Sequence, residues 1–372
     1  MTLPVADVLV YHDPSHWAAV PANNGGNGTT WQWGDEILVG FTRGTYADLK
    51  PGHQCSYDHP FESWLARSVD GGESWAVWRP EPYVGWERDV GEQAGRNPDA
   101  PLRVDGATFT DPGFVMRVEG NGYHGNQGAQ WYASQDRGTT WRGSFGFGDL
   151  RGAPELRGYE FTGRTAYEVR GPGALDIYVS ARRRPEGNAL NVVYDKPFVA
   201  RTTDGGEAFR FVSWIVGEDD PYRAVMPAPV RLTATKLVVA LRRKSSSENW
   251  IDCVASGDDG VTWSFLSRVG NTEHANQFNG NPPAMVRLAD GRLCCTFGHR
   301  SRRQIVATLS DDEGATWGAE RVLRDDFHSA NGWPDLGYCR LFQRPDGRLV
   351  VVYFWCTHER PQTHIEATLF LP

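Results

Sequence analysis

The sequence predicts an all-β fold, a six-bladed β-propeller of four-stranded antiparallel blades, in which residues 1–372 form a single domain and the N-terminal strand closes the last blade. Three observations predict it. First, one short phrase recurs five times: Ser68-Val-Asp70-Gly-Gly72-Glu-Ser74-Trp75, Ser134-Gln-Asp136-Arg-Gly138-Thr-Thr140-Trp141, Thr202-Thr-Asp204-Gly-Gly206-Glu-Ala-Phe209, Ser256-Gly-Asp258-Asp-Gly260-Val-Thr262-Trp263 and Ser310-Asp-Asp312-Glu-Gly314-Ala-Thr316-Trp317. Successive aspartates are 66, 68, 54 and 54 residues apart, the length of a propeller blade of about 40–50 residues with insertions. Second, 15 Trp, 17 Phe and 13 Tyr accompany 42 Gly and 23 Pro, a composition suited to many short strands joined by tight turns. Third, no stretch of about a dozen residues sustains a 3.6-residue apolar period, so helix is expected to be scarce.

The repeated phrase reads as a hairpin turn. Its Asp accepts bonds from the amides of the turn it opens, its Gly supplies a positive φ, and its aromatic returns to pack on the blade. These aspartates are therefore expected to staple turns and to carry no chemistry.

In chain order, Asp7 to Tyr11 reads as a lone strand that pairs with His364 to Phe370, removing two free sheet edges. The first blade takes Thr29 to Trp33, Glu36 to Thr42 and Ser63 to Arg67, with a long loop from Arg43 to Pro60. The second is less regular, with Phe109 to Val118, a Gly- and Asn-rich loop through His124, and Ala129 to Ser134. The third takes Arg164 to Val169 and Leu175 to Ala181, and the fourth Ala228 to Leu232, Lys236 to Leu241 and Trp250 to Ser256. The fifth takes Ala284 to Leu288, Arg292 to Phe297 and Ile305 to Ser310. The sixth takes Tyr338 to Gln343 and Arg348 to Phe354 and lacks the phrase, as suits a blade whose outer strand comes from the N-terminus. Antiparallel order puts each first and third turn on one face. The second turns and the starts of the inner strands lie on the other, the top face, around the central opening.

A net charge of −8 argues against a nucleic-acid partner, whose phosphates select a basic surplus. No run of about 18 apolar residues predicts a membrane span. The opening residues lack a basic segment followed by an apolar core, so a cytoplasmic location is expected. Cys55, Cys253, Cys294, Cys295, Cys339 and Cys356 form no C-x-x-C pair and read mostly as small buried hydrophobes.

The pattern S-x-D-x-G-x-[ST]-W is the Asp-box, and the chain resembles the bacterial sialidase-like β-propellers. The likeness extends through Asn281-Pro-Pro283 before Leu288-Ala-Asp-Gly-Arg292 and Asp335-Leu-Gly-Tyr338 before Arg344-Pro-Asp-Gly-Arg348. It implies an exo-acting glycoside hydrolase with a carbohydrate substrate. Arginines would grip the carboxylate of an acidic sugar, a Tyr would act as nucleophile, and an Asp on a first-blade loop would serve as acid/base. Tyr338, which opens the last inner strand, is similar in setting to the sialidase tyrosine. Arg242 and Arg300 are similar to two of the arginines, and Asp58, on the loop before the first phrase, is a candidate acid/base. The chain departs from that pattern in two places. The first blade opens Asn24-Gly-Gly-Asn27-Gly-Thr-Thr30 without an arginine, and the fifth opens Asn279-Gly-Asn-Pro-Pro283 where the tyrosine's Glu partner would stand.

The strand map itself brings Arg43, Arg164, Arg242 and Arg300 to the top face, with His53, Asp58, His124 and His299 in loops there. Guanidiniums stay charged and bind carboxylates bidentately, so their convergence points to an acidic sugar of sialic or uronic type. The candidate catalytic residues are Tyr338, Asp58 and His53; Arg43, Arg164, Arg242, Arg300, His124 and His299 are the candidates for substrate binding. No recognised ligand spacing connects His53 to His59, so neither metal nor other cofactor is expected. Two other functions fit the same residues: a lyase that eliminates across a uronate with His or Tyr as base, and a glycan-binding propeller without catalysis.

Overall fold

The computed structural model describes residues 6–20, 29–48, 52–80, 108–119, 129–183, 194–274 and 279–372. Its strands form six sheets arranged as the blades of a propeller. Blade one contains β2 (His16–Ala19), β3 (Thr30–Trp33), β4 (Glu36–Thr45), β5 (Glu62–Ser68) and β6 (Ala76–Trp78). Blade two contains β7 (Val115–Glu119), β8 (Gln130–Ser134) and β9 (Arg142–Phe145). Blades three and four are β10 (Glu160–Gly171), β11 (Ala174–Arg183), β12 (Tyr194–Thr202), β13 (Arg210–Trp214) and then β14 (Arg223–Arg231), β15 (Leu237–Lys244), β16 (Asn249–Ser256), β17 (Ser264–Glu273). Blade five is β18 (Ala284–Arg287), β19 (Leu293–His299), β20 (Gln304–Ser310) and β21 (Arg321–Arg324). Blade six joins β22 (Gly337–Gln343), β23 (Leu349–Trp355) and β24 (His364–Phe370) to β1 (Ala6–Tyr11). Among the described residues the helical elements are two short 3-10 turns, at Gly148–Gly152 and Pro154–Leu156.

The closure is as expected. β1 runs antiparallel to β24, with Ala6 opposite Leu369 and Val8 opposite Ala367, so the two chain ends share a sheet in which β1 is the outer strand and covers the edge of β24. Thr368 Oγ1 donates to Asp7 Oδ1 at 2.7 Å, and Arg324 of blade five reaches both Asp7 and Glu366.

Two blades depart from the sequence reading. In blade one the inner position is shared: β3 pairs with one half of β4 and β2 with the other, Ala18 standing opposite Arg43. His16-Trp-Ala-Ala19 shows no polar–apolar alternation, because Trp17, Ala18 and Ala19 are all buried. In blade two, β7 pairs with β8 and β8 with β9, and the repeated phrase follows β8. The predicted run Phe109 to Val118 is strand only in part. Its C-terminal half is the second strand, while Thr108–Phe114 forms turns closed by Phe114 N–H on Asp111 O. Three strands of this blade lie among the described residues.

The repeated phrases bind neighbouring blades. In each, the opening hydroxyl accepts the glycine N–H and donates to the Asp: Ser134 Oγ takes Gly138 N–H at 2.9 Å and gives its proton to Asp136 Oδ1 at 2.6 Å. Two consecutive residues are left-handed, Arg137 at φ 55° and Gly138 at φ 83°. Glycine is required at the second, since a Cβ there would stand 2.7 Å from Leu38 of the preceding blade. At the fourth and fifth phrases the joint is also polar: Ser213 Oγ donates to Gly260 O and Ser267 Oγ to Gly314 O, both at 2.5 Å. Core clusters accordingly run between blades, as where Ile37, Val39 and Phe41 meet Val350, Val352 and Phe354. All six cysteines are buried free thiols.

Candidate active site

The inner strands run from the top face downward, and three of them bulge at their upper ends. The register shifts between Phe161 and Thr165 in β10, between Val225 and Ala228 in β14 and between Gly337 and Arg340 in β22. Bulges re-aim side chains, and these three carry Arg164, Met226 and Tyr338. Met226 and Tyr338 are also left-handed, at φ 60° and φ 50°. Large side chains adopt that conformation only when surrounding structure imposes it, a strain that concentrates at functional sites.

A chain of contacts joins these points. Ser180 Oγ donates to Arg164 O at 3.0 Å and accepts Met226 N–H at 2.9 Å. Met226 Sδ lies 4.0 Å from Arg242 Nη1, which also reaches the Tyr338 hydroxyl at 3.4 Å. The Tyr338 ring leans on Phe354, with centroids 5.4 Å apart. Buried Arg164 stands 3.6 Å from Asp195, whose carboxylate also binds Arg182 and Arg223. Burial alone would raise the Asp195 pKa, but the three guanidiniums hold it far below the carboxylate range. One buried carboxylate thus binds three cations.

A second cluster forms three residues before Tyr338. Asp335 is 1% exposed, and its Oδ1 lies 2.7 Å from His53 Nδ1, while Trp17 Nε1 donates to its Oδ2 at 2.9 Å. The His53 side chain is 39% exposed, so the Asp-held ring stays open to solvent. Burial pushes the Asp335 pKa up, yet the charge and hydrogen bond of His53, the nearby Arg300 charge and the Trp17 bond bring it below the usual range. Arg300 is buried, and its Nε has no hydrogen-bond partner among the described residues.

The other sequence candidates fall elsewhere. Arg43 lies within β4, where it binds Glu62 and stacks over Trp64 at 4.2 Å; no described contact links it to Tyr338. Asp58 is exposed on the β4–β5 loop, with its main-chain N–H on Ser56 Oγ. His299 is buried and faces His274, Nε2 to Nε2, at 3.1 Å, while its Nδ1 accepts the Arg302 N–H. Burial, then the charges of Arg302 and His274, push its pKa down to about 3. His299 is therefore neutral, with its proton on Nε2. His124 lies outside the described residues. Asp335, Trp17, Arg182, Arg223 and Asp195 were not singled out from the sequence. The Asp335-Leu-Gly-Tyr338 phrase was the one signal at hand for Asp335, because its partners are 282 and 318 residues away.

Beneath the site the inner strands enclose a channel of about 370 Å³, lined by Trp31, Tyr167, Ala228, Met285 and Arg340 among others. Tyr167 Oη accepts Trp31 Nε1–H at 2.8 Å and Met116 N–H at 3.2 Å, tying three blades across its lower part.

This fold and its repeats define a class. Residues 182–351 match the family described as BNR repeat-like domain, a stretch that contains three of the five phrases. No curated protein matches the chain. Among solved structures, a protein of unknown function from Dyadobacter fermentans is similar at 18% identity and a TM-score of 0.68 over 99% of both chains. The α-L-arabinofuranosidase of Fusarium graminearum, solved with arabinobiose, is 15% identical, with a TM-score of 0.55 over 97% of this chain and 94% of that one. The K499G mutant of the NanB sialidase of Streptococcus pneumoniae is 13% identical, with a TM-score of 0.52 over 92% of this chain and 68% of that one. The chain is thus a six-bladed propeller with BNR-type repeats, of a fold found in glycoside hydrolases, and its resemblance to sialidase-like propellers stands at that level. Identities this low carry the fold and not the substrate.

Proposed function

We propose that this protein is an exo-acting glycoside hydrolase that cleaves the bond of an acidic sugar at the top of the channel, and that Tyr338 and His53 carry the chemistry. One observation carries the reading: the Tyr338 hydroxyl has a guanidinium 3.4 Å away, and His53 has a buried carboxylate 2.7 Å away. Each partner stabilises the charge its neighbour must bear. Arg242 favours a phenolate at Tyr338, and Asp335 orients His53 and balances an imidazolium.

The reaction then balances in two steps. In the first, the Tyr338 oxygen bonds to the anomeric carbon while the glycosidic C–O bond breaks, and His53 Nε2 gives its proton to the leaving oxygen. In the second, water attacks the same carbon, His53 takes the water's proton, and the bond to Tyr338 breaks to return the phenolate. Two displacements retain configuration, and the tyrosine nucleophile is among the known exceptions to paired carboxylates. Arg164 and Arg300 supply planar donors to the sugar carboxylate. The similar solved structures include both an arabinofuranosidase and a sialidase; the buried guanidiniums of Arg164 and Arg300 favour an acidic sugar over a neutral one.

The His53–Asp335 pair also favours a second reading, elimination. There His53 removes the proton beside a uronate carboxylate, a carbon–carbon double bond forms as the glycosidic bond breaks, and the leaving oxygen takes a proton from Tyr338. Digestion of acidic oligosaccharides separates the two. A saturated reducing sugar released with its anomeric configuration retained, by NMR, supports hydrolysis. An unsaturated, ultraviolet-absorbing product replaces hydrolysis with elimination.

A further inference from the structure

Tyr338 is useful only if a left-handed backbone aims its ring at Arg242, and the structure shows what imposes that conformation. Asn281, which precedes β18 in blade five, is fully buried. Its Oδ1 accepts the Tyr338 main-chain N–H at 3.3 Å. Its amide occupies a slot made by two missing side chains. A Cβ on Gly298, in β19, would stand 2.9 Å from Asn281 Nδ2, and one on Gly337, at the start of β22, would stand 2.3 Å from Oδ1. Gly337 is itself at φ 104°, a conformation that excludes other residues sterically. The Asn281 Nδ2 has no partner among the described residues. The amide thus holds the bulge at the expense of one buried donor.

We propose that Asn281 is a positioning residue for Tyr338. Its side-chain carbonyl, seated between Gly298 and Gly337, fixes the Gly337–Tyr338 bulge and so the distance between the Tyr338 hydroxyl and Arg242. The proposal rests on the catalytic role given to Tyr338 above. It also assigns a use to the asparagine in the segment where a sialidase-like chain would carry the tyrosine's acidic partner: it acts on the backbone of that residue.

The test follows Tyr338 directly. In protein labelled at tyrosine Cζ, the Tyr338 resonance is identified by its absence in Tyr338→Phe. Asn281→Ala removes the acceptor, and Gly337→Ala drives a methyl group into the amide. Both variants should move this resonance in the direction that Arg242→Met moves it, and both should lower kcat by about 10²-fold, the scale of an ångström of misplacement, with KM little changed. In a Tyr338→Phe background neither should lower kcat further, because effects acting through one group do not add. A Tyr338 resonance unmoved in both folded variants overturns the proposal, as does an equal loss of kcat in the two backgrounds. If no acidic glycoside is turned over, the functional reading fails by itself, and the resonance still decides the role of Asn281.

Discussion

Replacing Arg242 by methionine removes the charge beside the Tyr338 hydroxyl while keeping a flexible chain of similar length in a buried position. At the 3.4 Å separation of Arg242 Nη1 and Tyr338 Oη, a unit charge pair at an effective dielectric near 20 interacts by about 5 kcal/mol. That figure is a ceiling, since the guanidinium charge is spread and water fills part of the space it leaves. A lost hydrogen bond to a charged group sets a floor of about 1.5 kcal/mol. At about 1.4 kcal/mol per decade, kcat should fall between roughly tenfold and roughly three-thousandfold. The assay is steady-state hydrolysis of an acidic aryl glycoside, with thermal unfolding run in parallel to confirm a folded variant. A KM that rises while kcat holds would refute the reasoning, because Arg242 would then bind ground state and transition state equally.

Three further outcomes follow. Asp335→Asn keeps the shape but not the charge that orients His53, so kcat should drop about 10²–10⁴-fold, the usual worth of a positioned acid/base; an unchanged kcat in the folded variant removes His53 from the mechanism. His299, held neutral down to about pH 3 against an ordinary value of 6.5, takes up its proton more readily in the unfolded chain. Stability from this group is thus complete above pH 6.5 and is lost as pH falls toward 3, by at most about 1.4 kcal/mol per unit. Denaturant unfolding of His299→Gln should show a shallower acid loss than the parent, and identical slopes would mean that the histidine pair contributes nothing. Ser134→Ala strands the buried Gly138 N–H and frees Asp136, so it should cost about 1–3 kcal/mol of stability and leave activity intact; lost activity without lost stability would give the repeated turns a chemical role.

The fold was legible because its signal is local and repeated. Each phrase needs only its own eight residues to close a turn, and β24 and β1 both read as apolar strands at the two ends of the chain. β2 was missed because His16-Trp-Ala-Ala19 is buried against blade six as well as blade one, which erases the alternation of a half-buried strand. The site was legible in proportion to its locality. Arg164, Arg242 and Tyr338 stand at or beside bulges whose strands could be placed in order. Asp335 acquires its meaning from His53 and Trp17, and Asn281 from two glycines on other strands, and such pairings exist only after the ring of blades has closed. Arg43 shows the reverse case: a cation placed by the strand map on the top face is taken up by Glu62, two strands being paired at that point.

The most direct test of the account is hydrolysis of matched aryl glycosides, sialoside and glucuronide against arabinofuranoside, by the parent protein and by Tyr338→Phe. The account predicts turnover of an acidic glycoside in clear preference to the neutral one, and its loss in Tyr338→Phe. A preference for the arabinofuranoside, or an acidic-glycoside rate that Tyr338→Phe leaves unchanged, would contradict it.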